Sequence, residues 1–146
     1  MPSRRDWLKG AAAMLLVREA LAQGRLEQGG YRRQGDVKIS GDRVSTGADG
    51  EVVFVVDKDA VLVRAGSELS ILKTGLRIVT GAVLSVFGGP RELRTPTAHI
   101  GIRGTAVYLE VEPNRTYVCT CYGEAVLEPL GDPASRETVR TLHHEQ

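Results

Sequence analysis

Apolar residues along this chain fall in short runs separated by turn-forming residues, with almost no helical periodicity. Val52–Val56 is apolar at every position and reads as a strand buried on both faces. Asp57-Lys58-Asp59 then makes a tight connection into Ala60–Arg64. Further runs lie at Leu69–Leu72, Leu76–Thr80, Val83–Phe87, Ala98–Ile102, Val107–Val111, Tyr117–Tyr122 and Ala125–Leu127. Strands this short and this dense predict an all-β fold. Several runs open on a glycine followed by alternation, at Gly66, Gly81 and Gly123, but their spacing is irregular, an echo rather than a strict repeat. Such units favour stacked short strands, β-solenoid-like, with a β-sandwich as the competing arrangement. Glu112-Pro113-Asn114-Arg115 joins its flanking strands as a hairpin. Near the C-terminus, Asp132-Pro133 starts a short helical turn, and the alternation from Glu137 reads as a strand.

The stretch Thr95–Thr105, TPTAHIGIRGT, acts as a hub in this pattern. Ile100 and Ile102 alternate with His99, Gly101 and Arg103, so a short strand with one apolar face is expected. Pro96 suits a strand start, and Gly104 lets the backbone turn before the next strand begins at Ala106. Glycine and proline here read as devices for turning one β layer into the next.

The first 22 residues have a different character. Arg4-Arg5 with Trp7, Leu8 and Lys9 resembles a bacterial twin-arginine export signal, with Trp7 where the pattern usually has Phe. A weakly apolar stretch from Gly10 to Val17 and an Ala20-Leu21-Ala22 cleavage site follow in the expected order. The organisation expected is therefore a signal helix over 1–22, a polar lead-in over 23–34, a β domain over 35–130 and a tail over 131–146. The resemblance implies a periplasmic protein. Of 19 basic and 18 acidic residues, the signal holds four and two, which leaves 15 against 16 and a net charge of −1 for the body. A body this close to neutral has no electrostatic footprint for nucleic acid. With no run of about 18 apolar residues, no membrane-spanning helix is expected in the mature chain.

Three blocks carry a further resemblance. They are Gly41-Asp42-Arg43-Val44-Ser45-Thr46-Gly47 with Gly50, then Gly81-Ala82-Val83-Leu84-Ser85-Val86, and then TPTAHIGIRGT followed by strand, turn, strand and Gly123. In order and spacing, the segment from about Gly41 to Leu127 resembles the FecR domain, a periplasmic module of iron-responsive signalling proteins and other exported bacterial proteins. The resemblance implies a β-rich fold, no catalytic residues, and a role in protein–protein or ligand sensing. The regulator members carry a cytosolic anti-sigma segment and a membrane helix ahead of the domain. A cleavable-looking signal stands there in this sequence.

Candidate chemistry centres on Cys119 and Cys121, which share one face of a regular strand. Their spacing of about 6.5–7 Å along a strand is too long for a disulfide unless the strand bends. Two thiolates on one face can instead hold a soft transition metal, with His143 and His144 as further ligands. The alternative is two small core residues and no cofactor. His99 and Arg103 lack the nucleophile and orienting group that catalysis would require. Asp57 and Asp59 lack the ligand count of a calcium site and read as hairpin solubility. Gly101–Thr105 matches neither phosphate-binding glycine motif. The expectation is a non-enzymatic periplasmic binding or scaffold module with a protein partner in envelope signalling or assembly. The alternative is a periplasmic metal-binding or redox protein using the cysteine pair.

Overall fold

A computed structural model describes residues 31–142, and this part of the chain is all β. The strands are β1 (Tyr31–Gln34), β2 (Val37–Ser40), β3 (Arg43–Thr46), β4 (Glu51–Val56), β5 (Asp59–Val63) and β6 (Glu68–Ile71). They continue with β7 (Gly75–Val86), β8 (Arg91–Arg94), β9 (Ala98–Glu112), β10 (Arg115–Pro129) and β11 (Glu137–Thr141). A single 3-10 turn at Pro133–Ser135 precedes β11. All eleven strands join one mixed sheet, and β7–β8 is the one parallel pair. The sheet begins at Tyr31, inside the stretch expected to be a polar lead-in, because β1 pairs with β4. The expected signal helix lies outside the described residues. No helix among the described residues is long and apolar enough to cross a membrane.

Separate short strands are found only in part. β2 to β6 are four to six residues long, whereas β7, β9 and β10 run for twelve to fifteen. The sequence pattern breaks each of these long strands at a glycine, Gly81, Gly104 and Gly123, yet the backbone continues through all three with positive φ. Neighbours change at the same points. β7 pairs with β6 before Gly81 and with β5 beyond it. β9 pairs with β8 up to Ile102 and with β7 from Ala106. β10 has β11 beside it only from Gly123 onward. The sheet thus has two arms, one running β2-β3-β6-β7-β8-β9-β10-β11 and the other β1-β4-β5-β7-β9-β10, with the long strands shared.

The arms close on one another. A straight strand of fifteen residues would span roughly 50 Å. Thr95 and Thr97, just ahead of β9, nevertheless hydrogen-bond the Thr116 hydroxyl at 2.7 and 2.6 Å. Thr116 pairs with Val111, near the far end of that same strand, so β9 doubles back on itself. Its two ends meet at the TPTAHIGIRGT stretch. Phe54, Val61 and Val63 of one arm then share a single buried cluster with Leu69, Ile78, Leu93, Ile100 and Ile102 of the other. Burying each of these larger side chains contributes about 1.5–3 kcal/mol.

The corner at Gly81 is sealed by polar groups. The Ser67 hydroxyl accepts from the Ala82 amide at 3.0 Å, and the Thr46 hydroxyl accepts from the Ser67 amide at 2.9 Å while donating to the Arg64 carbonyl. Backbone groups that the bend removes from the ladder are satisfied in this way. A second lock holds the far end of β5. Asp59 is buried, accepts from the Gly88 amide at 3.0 Å and pairs with the Arg91 guanidinium. Its role is structural, not the hairpin solubility expected from sequence.

The corners should differ in their tolerance of a side chain. A Cβ at Gly81 would collide with Ser67 at φ +102, whereas Gly104, at φ +50, faces open space. Gly81→Ala is expected to cost more than about 3 kcal/mol, and Gly104→Ala only about 1–2 kcal/mol. Urea midpoints of the two variants check this, and equal losses would contradict the corner geometry. Thr116→Val, which removes the hydroxyl clamp beside buried Thr95, is expected to lower stability in the same titration by about 1–2 kcal/mol.

Candidate functional site

The second arm presents two apolar faces, and the described residues cover only the inner one. Val52 and Phe54 point into the core, but Val53 on the opposite face is 40% exposed. The expectation that Val52–Val56 is buried on both sides is therefore corrected, because nothing among the described residues packs on its outer face. Strand register extends this face sideways. Val53, Leu62, Leu84, Tyr108 and Cys119 stand directly beside one another on successive strands. A parallel row runs Val55, Ala60, Val86, Ala106 and Tyr122. Val86 is 40% and Tyr117 52% exposed, so much of this face meets water. β10 borders it, and before Gly123 its outer edge has no strand partner among the described residues.

Cys119 and Cys121 lie at that border. Both are free and half-buried, and both line a groove of about 560 Å³ with Leu84, Tyr108, Glu110 and Tyr117. They are not on a regular strand. The β10–β9 register passes from Thr120↔Val107 to Tyr122↔Ala106, which leaves Cys121 as an extra residue with no partner on β9. This is a β-bulge, and it bends the strand. The Cys121 sulfur turns back to 4.0 Å from the Cys119 carbonyl oxygen. Burial pushes the Cys121 thiol above the usual range, and the neighbouring Cys119 adds to the rise. Nothing in the sequence marks the bulge except Gly123, two residues further on.

Tyr108 carries the polar contact of the groove. Its hydroxyl donates to Glu110 Oε1 at 2.8 Å. That hydrogen bond, followed by burial, raises its pKa above the usual 10, while Arg64 pulls in the other direction.

His99 and Arg103 lie on the outer face of the first arm. Register aligns Arg43, Ser70, Arg77, Arg94, His99 and Glu128 across six strands on one face. Two adjoining grooves of about 180 and 320 Å³ share Arg94 and His99, and Arg136 lines the smaller one. The linings include neither cysteine nor serine, so His99 has no thiol or serine nucleophile beside it in either groove. Arg103 is exposed and stands opposite Glu124, which accepts from Arg140 Nε at 2.8 Å. Arg77, Arg94 and Arg136 are not recognisable as a group in the sequence, because only the pairing of distant strands brings them to His99.

Of the four candidate metal ligands, Cys119 and Cys121 come together, while His143 and His144 lie outside the described residues. The described β10–β11 ladder ends at Gly123↔Thr141. Among the described residues no group of three or more His, Cys, Asp or Glu side chains is arranged to hold a metal ion. The two thiols line one groove with Glu110, whose Oε1 is taken up by the Tyr108 hydroxyl. No protein-family model matches the chain, and no curated protein matches it.

The hydrogen bond to Glu110 gives a pH test. A phenol whose pKa is raised on folding contributes stability that is present below pH 10 and lost as pH rises through the folded pKa. Glu110→Gln is expected to bring the Tyr108 ionisation down toward 10, read as tyrosinate absorbance against a Tyr108→Phe reference. An unmoved ionisation would show that Glu110 is not its cause.

Proposed function

We propose that this protein is an exported, periplasmic, non-catalytic binding or scaffold module of the FecR-domain type, acting on a protein partner in envelope signalling or assembly. The observation that carries this reading is the outer face of the second arm. β4, β5 and the second half of β7 carry apolar residues on both sides, yet among the described residues Val53 and Val86 on the outer side are exposed and Ala60, Leu62 and Leu84 only half-buried. Contiguous apolar surface on a β face marks a site of interaction with another surface. The edge of β10 beside it, unpaired before Gly123 among the described residues, adds backbone donors and acceptors to which an incoming strand can pair.

Export rests on the Arg4-Arg5 pair, the apolar stretch and the cleavage site. A non-catalytic role is what the resemblance of Gly41–Leu127 to the FecR domain implies. The near-neutral body argues for a protein partner rather than a nucleic acid. The finer reading of the fold, layers of strand stacked one over the next, belongs to the same proposal. It rests on the passage of β7, β9 and β10 from one arm to the other.

Two measurements test the proposal. Arg4→Lys with Arg5→Lys is expected to hold the protein in the cytoplasm, while the native chain reaches the periplasmic fraction. Export that survives this change would remove the twin-arginine reading. For docking, the native chain and a Val53→Lys/Val86→Lys variant serve as paired baits in periplasmic extract. Both substitutions are on the open face and are expected to shift stability by only about 0.5 kcal/mol each. A partner retained by the native bait and reduced at least tenfold by the variant supports the reading. Equal retention by both, or none by either at physiological salt, overturns it.

A further inference from the structure

The cysteine pair has a geometry that neither core packing nor the docking face explains. On a regular strand, residues two apart stand about 6.5–7 Å from each other with parallel side chains, at or beyond the limit for a disulfide. Here the second cysteine is the extra residue of a bulge, so no ladder hydrogen-bonding partner on β9 fixes its position. A second register shift follows between Tyr122 and Glu124, around Gly123 at φ +94. Thr120 and Tyr122 stay paired with Val107 and Ala106, so between them Cys121 alone is left out of the ladder. The bend already carries the Cys121 sulfur back toward residue 119. Both thiols also open onto one groove, wide enough at about 560 Å³ to admit another molecule's side chains.

We propose that Cys119 and Cys121 are a dithiol that undergoes exchange with a disulfide-bearing partner and closes to an intrastrand disulfide across the bulge. In the first step the Cys119 thiolate attacks one sulfur of the partner's disulfide, forming a mixed disulfide and releasing one partner thiolate, which takes up the proton that Cys119 lost. In the second step Cys121, as thiolate, attacks the Cys119 sulfur, and the other partner thiol departs with the second proton. Two electrons pass from the dithiol to the partner's disulfide, and one disulfide replaces another. Cys121 is the resolving residue. It stands outside the β9 ladder with its sulfur turned back toward residue 119, which places it to attack the mixed disulfide. Exchange requires only the thiol geometry and is independent of the export and docking readings.

The test uses the native chain with oxidised glutathione as the probe, followed by intact-mass measurement and thiol counting. The expected product has lost about 2 Da and both thiols, carries no glutathione and remains a monomer. Cys121→Ser under the same conditions should stop at one glutathione on Cys119. Two glutathione adducts on the native chain, two unreacted thiols, or a covalent dimer would each overturn the proposal. The native chain supplies the deciding measurement, so the proposal stays falsifiable even where the serine variant fails to fold.

Discussion

The architecture is governed by how an apolar sheet face is kept from water when no helix among the described residues can cover it. The chain meets this constraint by folding the sheet over on itself. Strands that would project some tens of ångströms beyond a common core are bent at glycines, so that each one contributes to both arms. The Thr95–Thr97–Thr116 hydroxyl cluster fastens the result where the two ends of β9 meet. Its three short side chains sit where larger apolar groups would leave buried backbone amides unpaired. Instead, Thr95 accepts from the amides of Thr97 and Ala98.

Covering one face in this way leaves the other open. The first arm meets water with a polar row of arginines, His99 and Glu128. Val79 and Leu130 are exposed beside that row, while the second arm exposes Val53, Val86, Tyr117 and Tyr122. A sheet of equal-sized arms could have placed polar residues on both outer faces, as β8 does with Glu92 and Arg94 beside buried Leu93. The asymmetry is a property of the amino-acid pattern, since Val53, Leu62 and Leu84 are adjacent only through register.

Much of the strand content was legible from the sequence, and the connections between strands were not. Val52–Val56, Leu69–Leu72 and Ala98–Ile102 locate β4, β6 and the start of β9 to within a residue or so. Gly81 and Gly104 were visible as interruptions, but a glycine that ends a strand and one that bends it look alike until the neighbours are known. The row of Arg77, Arg94 and His99 across β7, β8 and β9 was illegible for the same reason, since strand register is not encoded locally. The cysteine pair was half legible. Alternation put both thiols on one face, while the bulge that redirects Cys121 depends on β9 having one residue fewer than β10 at that point.

The anchoring of Asp59 has a mechanical consequence. Gly88-Gly89-Pro90 is, by composition, the most pliable loop of the body, and on that basis alone a chain cut or lengthened there would lose little. Yet the loop is clamped at both ends by a single carboxylate, through the Gly88 amide on one side and the Arg91 guanidinium on the other. The hinge implied by its glycines is thereby converted into a rivet between β5 and β8. Flexibility in this protein is not to be sought where glycine is densest.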